Sequence, residues 1–246
     1  MKLETWNLKL GEYSKMAKSN TALAIQMVAE PSNDAGLPAH LKAVDGVGRG
    51  NENVGDALTV PRVKLLQKMN NEVDKHHSDY IDGCSVGDFV NTLSKEVMGS
   101  EIYVISLHFN TEYVVWRDIT KGGGYGGNFK TYAEANDYIQ AQDIPDEYSA
   151  DETHSHVLLV KNPETGLLEN APVIMDFAKS KLRVSKGWNS QIGIKGGDRF
   201  AGLWKIKGVS TENKSGQTFM NLDVSWVGWA TEDDYTAAEK LYEKYA

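Results

Sequence analysis

The chain has 246 residues, 41% of them hydrophobic, and a formal net charge of -8 at pH 7. That length and apolar content support a sizeable core and exclude a wholly disordered chain, and the acidic balance argues against indiscriminate binding to polyanions. A single cysteine, Cys84, excludes an intramolecular disulfide, and runs such as Val157 to Val160 fall far short of the roughly 20 residues of a membrane helix.

The first residues lack the apolar stretch that a secretory signal carries after its basic end, so a reducing cytoplasm is the expected compartment, with no membrane contact. Tyr13 to Glu30 has helical composition, with Met16, Leu23, Met27 and Val28 near helical spacing and Pro31 closing it. Residues 32–56 turn to Gly, Pro, Asn and Asp, the composition of a linker. These features divide the chain into a helical or flexible arm over residues 1–55 and a main domain over 56–246.

Short β-branched and aromatic runs bounded by turn formers predict seven strands: Ser85 to Leu93, Ile102 to His108, Glu112 to Arg117, His156 to Lys161, Val173 to Phe177, Gly202 to Val209 and Gln217 to Trp229. Ahead of them, Pro61 to Lys68 sets Arg62, Lys64 and Lys68 beside Val63, Leu65 and Leu66, a packing segment whose cations extend any basic groove nearby. Thr131 with Glu134 three residues later predicts a capped helix to about Ala141. Thr231 followed by Asp233 and Asp234 predicts a terminal helix whose apolar side is Tyr235, Ala238, Leu241, Tyr242 and Tyr245. Ser180 to Ile194 reads as a short helix or irregular connector. Glu212 to Gly216 reads as the turn of a closing hairpin. The fold class that follows is mainly β with flanking helices (α+β): an OB-like barrel of about five to seven strands with a C-terminal helix, leaving a face and loops for an oligonucleotide.

One stretch reverses the overall charge. Between Val173 and Lys207 stand Lys179, Lys181, Arg183, Lys186, Lys195, Arg199, Lys205 and Lys207 against only Asp176 and Asp198. Phe177, Trp188, Phe200 and Trp204 are interleaved among them. Cations that neutralise phosphates beside flat rings that take unpaired bases are what single-strand binders need. For any one of these rings, burial in the core is the commoner fate. A second candidate is Lys121 to Lys130, where five glycines surround Tyr125, with Phe129 following, between two lysines. It lacks the order of a nucleotide-binding P-loop, and reads either as a base-contacting flap or as a plain hairpin tip.

No arrangement for chemistry stands out. His154 and His156 share one side of a strand, and His76, His77 and Asp79 lie near Cys84, but zinc-site spacings are lacking, so no metal or cofactor is expected. Asp233 and Asp234, and Asp143, Asp146 and Glu147, sit where helix dipoles and solvent account for them. No nucleophile, base and orienter set is visible, and a non-catalytic protein is expected.

Three segments carry a resemblance. Asp56 to Gln67 (DALTVPRVKLLQ), Val86 to Asn91 (VGDFVN) and Tyr113 to Arg117 (YVVWR) before a glycine cluster are similar to phage-encoded single-stranded-DNA-binding proteins. Lys205-Ile206-Lys207, Asn213 to Gly216, Asn221, Gly228, Ala238 and Leu241 to Glu243 extend the likeness over residues 56–245. The resemblance implies an OB-like barrel that self-associates and acts in phage replication, recombination or transcription in the host cytoplasm. Phage RNA polymerase, as in phages of the N4 group, or replication proteins would then be further partners. The chain ends Tyr242 to Ala246 without the acidic tail of many such binders, so recruitment through a tail is not expected. On this reading single-stranded DNA contacts Lys179, Lys181, Arg183, Lys186, Lys195, Arg199, Lys205, Lys207, Lys121 and Lys130, with Trp188, Trp204 and Tyr125 stacking on bases. The rival expectations are a virion or scaffold assembly protein and a metal-dependent nuclease accessory.

Overall fold

The computed structural model describes residues 59–169 and 171–245. The expected N-terminal arm and the linker after it lie outside them. In chain order the elements are β1 (Val63–Leu65), β2 (Phe89–Asn91), β3 (Val97–Gly99), β4 (Glu101–Arg117), β5 (Tyr125–Phe129), α1 (Tyr132–Gln140), β6 (Tyr148–Lys161), β7 (Val173–Ala178), α2 (Leu182–Lys195), β8 (Gly202–Glu212), β9 (Thr218–Trp229) and α3 (Glu232–Tyr245). The described part is thus mainly β with flanking helices, an α+β arrangement of two antiparallel sheets. One sheet is β1-β2-β3; the other runs β7-β6-β4-β8-β9, with β5 paired to the far half of β4.

β4 organises the large sheet. Two of the expected strands are its two halves, because the polar Asn110-Thr111 step that reads as a turn stays in the ladder opposite Ser155 and His154. β6 likewise begins eight residues earlier than its apolar run, since the polar stretch from Tyr148 to Ser155 pairs with β4 throughout. Strand alternation lets β4 serve two cores, and a bulge follows between Ser106 and His108. Ile102 and Val104 join Leu158, Val160, Val173, Met175, Phe177, Trp204 and Ile206 on one face, under α2 and the small sheet. Ile105 and Leu107 join Leu159, Phe200 and Ala238 on the other, under α3. Two-sided cover explains why the middle of this sheet reads as continuous apolar runs rather than as alternation.

The two edges of the large sheet, β7 and β9, are not paired with each other. Between them lies β1: Arg62 forms a parallel bridge to Ile174 in β7, and the Gln67 side chain hydrogen-bonds both backbone groups of Met220 in β9, at 2.8 and 2.9 Å. Seating the small sheet there requires Gly208, where a β-carbon would collide with the Gly87 carbonyl and with Leu65. The same edge of β9 is blunted again where Asn221 Oδ1 accepts from Leu222 N, 2.9 Å away, and by a bulge opposite Leu203 and Trp204.

The helix caps match the sequence signals. Thr131 and Glu134 form a reciprocal capping box on α1, which covers Val115 through Ala135 and Ile139. Thr231 Oγ1 accepts from Asp234 N at 3.2 Å at the start of α3, which lays Tyr235, Ala238 and Leu241 on the second core. No helix among the described residues is long and apolar enough to cross a membrane.

Candidate nucleic-acid interface

α2 carries the middle of the basic stretch. Its sequence is a poor helix former, with Gly187 and Gly193 inside it and no side-chain cap at its start, so tertiary contacts must hold it. Those contacts centre on Trp188, which stacks on His156 with 4.5 Å between ring centres and meets Trp204 edge-on at 6.0 Å. Beside it Ser185, fully buried, bridges two histidines on β6: its Oγ lies 2.8 Å from His154 Nδ1 and 2.7 Å from His156 Nε2. His154 Nε2 continues to Glu152 at 3.1 Å, and Lys186 Nζ meets the same carboxylate at 3.2 Å.

Proton order in this chain follows from cost. His156 Nδ1 is buried without a partner, and a bare lone pair there is cheaper than an orphaned N–H. His156 therefore donates from Nε2 to Ser185, Ser185 donates to His154 Nδ1, and His154 donates to Glu152. Burial, helped by Arg199 and His154, pushes the His156 pKa down to about 3, which keeps the ring neutral. Burial alone would raise the Glu152 pKa, but the hydrogen bonds from Lys186 and His154 bring it below the ordinary value. The Ser185, His154 and Glu152 order resembles a hydrolytic triad, but a hydroxyl with no exposed surface offers nothing to a substrate. It is an anchor for α2.

On its other flank α2 is separated from β9 by an open groove of about 260 Å³, lined by Arg183, Val184, Gly187, Trp188 and Gln191 on one wall and by Leu222, the exposed Asp223 and Val224 on the other. Positions 183, 187 and 191 repeat every four residues, so they form one stripe along the helix. Past the far end of that stripe Lys195 holds its ammonium 4.7 Å from the centre of the Trp226 ring. Trp226 meets Trp229 edge-on at 5.0 Å, and Trp229 is 59% exposed. The result is a channel with a cation at each end and a free indole at one of them.

The expected residues divide among several places. Trp188 and Trp204 are each 1% exposed, so neither has a face for a base, and their expected stacking role is corrected to core packing. Arg199 is also structural: its guanidinium bonds Ser106 Oγ at 3.0 Å and Asn189 Oδ1 at 2.6 Å and lies over Phe109, and burial lowers its pKa. Lys205 and Lys207 do not share a face with α2. Strand alternation puts Trp204 and Ile206 in the core under the helix, so the two lysines point to the opposite side, where Lys205 pairs with Glu101 at 3.8 Å. Lys179 pairs with Asp151 at 3.3 Å, and burial lowers the Lys181 pKa. The single groove expected for all eight cations is therefore corrected: Arg183 and Lys195 border the α2–β9 channel, Lys186 lies on the Glu152 flank, and the rest lie elsewhere.

The glycine segment forms β5 and its turn. Tyr125 is 62% exposed and packs edge-on against Trp116 at 5.6 Å, with its hydroxyl donating to Asn128. Lys121 and Lys130 are exposed nearby. The turn is tied down rather than loose: Asp118 caps Thr120 through both its N–H and its hydroxyl, and Arg117 forms two hydrogen bonds to Glu147. The sequence reading missed Trp116, Trp226 and Trp229, whose strand positions look like core until the bulge and the sheet edge are known.

The chain belongs to the Pam3 phage gp34-like protein family, whose model matches residues 30–246. It is thus a bacteriophage-type protein. No curated protein and no solved structure matches it.

Proposed function

We propose that this phage-family protein binds single-stranded DNA without catalysing a reaction, and that the α2–β9 channel is the binding site. Arg183 and Lys195 contact phosphates and Trp229 takes an unpaired base. The observation that carries this reading is the exposed Trp229 beside the Lys195 and Trp226 pair, at the end of the α2–β9 groove. Stacking contributes about 1 to 3 kcal/mol per base and needs a ring free on one face, which Trp229 provides. Bases entering beside Trp226 exchange its contact with the Lys195 ammonium for their own.

The antiparallel sheet with a helix between β7 and β8 supports an OB-like classification. Its role is then in phage DNA replication, recombination or transcription within the infected host's cytoplasm, alongside phage polymerases or replication proteins. Two cations, Arg183 and Lys195, border the site. Affinity should therefore be moderate, and log affinity should fall with log salt with a slope of about -1.4.

Titration of the full chain with an oligothymidine, followed by tryptophan fluorescence, tests the reading. Quenching with that salt slope, abolished in Trp229→Ala, supports it. Unchanged fluorescence at low salt, or equal binding of a duplex, would remove it.

A further inference from the structure

We propose that the end of the β4–β5 hairpin is a two-fold contact between two copies of this chain. The inference is independent of DNA binding and rests on a different part of the molecule. Four large apolar side chains are exposed there: Trp116 at 47%, Ile119 at 87%, Tyr125 at 62% and Ile144 at 53%. Trp116 and Tyr125 are in contact, and Ile119 sits over Gly123 in the turn between them. Ile144 begins the neighbouring turn, which is fixed alongside by the bond from Asp118 N to Glu147 O at 2.7 Å and by the Arg117 pair with Glu147.

Single exposed apolar residues need no explanation, but a tryptophan, a tyrosine and two isoleucines at one end form a patch. Together they offer roughly 500 Å² of uncovered apolar surface, within the size range of a monomer's largest patch, which is often functional. The patch is also pre-organised. Gly122 takes a left-handed φ of 101° in the turn, and Asp118 accepts from Thr120 and Lys121, so little ordering remains to be done on association.

The charges around it favour a second copy as occupant. Asp118, Asp143 and Asp146 are exposed at this end beside the exposed Lys121. A two-fold axis sets each copy's lysine against the other's carboxylates, so the rim complements itself. A base-stacking role fits less well, because these carboxylates repel phosphates. Burying about 500 Å² from each copy falls at the small end of specific interfaces, so the dimer should be weak and concentration-dependent.

Sedimentation equilibrium of the full chain over a wide concentration range tests this. The expected result is a mass rising from monomer to dimer. Ile119→Asp, whose side chain is too exposed to affect folding, should weaken the dimer by about tenfold or more with an unchanged circular dichroism spectrum. Trp116→Ala should weaken it too, and Trp229→Ala should leave it intact. A wild-type chain that stays monomeric at the highest concentration, or an Ile119→Asp chain that dimerises as the wild type does, overturns the proposal. Loss of oligothymidine binding in Ile119→Asp without a change in mass would also overturn it, by assigning the patch to nucleic acid.

Discussion

Ser185 on α2 and His156 on β6 meet through a 2.7 Å hydrogen bond in a site closed to solvent, and the histidine's other ring nitrogen has no partner. This contact joins the helix of the candidate interface to the sheet beneath it, and the burial of the histidine ring predicts that the domain is sensitive to acid.

The His156 pKa is about 3 in the fold against an ordinary 6.5, so the unfolded chain takes up a proton first as pH falls. The stability this histidine contributes is complete above pH 6.5 and is lost progressively as pH falls toward 3. Between pH 7 and pH 5 the loss should be about 2 kcal/mol. Urea unfolding at the two pH values measures it. His156→Phe, which cannot titrate, should show a smaller difference between them even if it is less stable at both.

Ser185→Ala leaves His154 Nδ1 and His156 Nε2 buried without their shared partner. The expected cost is about 2 to 4 kcal/mol, more than most surface substitutions produce. Thermal unfolding checks this, and a loss below about 1 kcal/mol would mean that the two histidines find other partners.

Two tryptophans should separate by function. Trp229→Ala should weaken oligothymidine binding by about 5- to 150-fold with little change in stability. Trp188→Ala removes a core ring and should destabilise the domain by about 3 to 5 kcal/mol. Affinity and urea midpoints measured on both variants give the comparison. The assignment fails if Trp229→Ala loses only stability.

Charge reversal should divide the basic stretch in the same way. Arg183→Glu with Lys195→Glu should abolish oligonucleotide binding, whereas Lys207→Glu, on the opposite face of the sheet, should change it little. Fluorescence titration at low salt, where screening is weakest, distinguishes the two.

Thr131→Ala removes the side-chain half of the α1 capping box and should cost about 1 kcal/mol. A shift in the urea midpoint measures it, and no effect on oligonucleotide binding is expected, since α1 lies by Val115 and away from α2.

Local chemistry was legible in the amino-acid order. Thr131 with Glu134, Thr231 before the acids of α3, and the Asn213 to Gly216 turn each work over a few residues of backbone, and each is found where its signal lies. The apolar runs of β7, β8 and β9 were legible for the same reason. Strand continuity was not: Asn110 and Thr111 are polar, and only pairing with Ser155 and His154 keeps them in β4. The interface depended on tertiary structure still more. Whether Trp188, Trp204 or Trp229 meets water depends on which surface packs over it, and indole carries the same signal in all three. Likewise, Lys205 and Arg183 are equal charges in sequence. Only the alternation of β8 against the seat of α2 sends them to opposite sides, because direction in space is set by the elements that pack together and not by residue type.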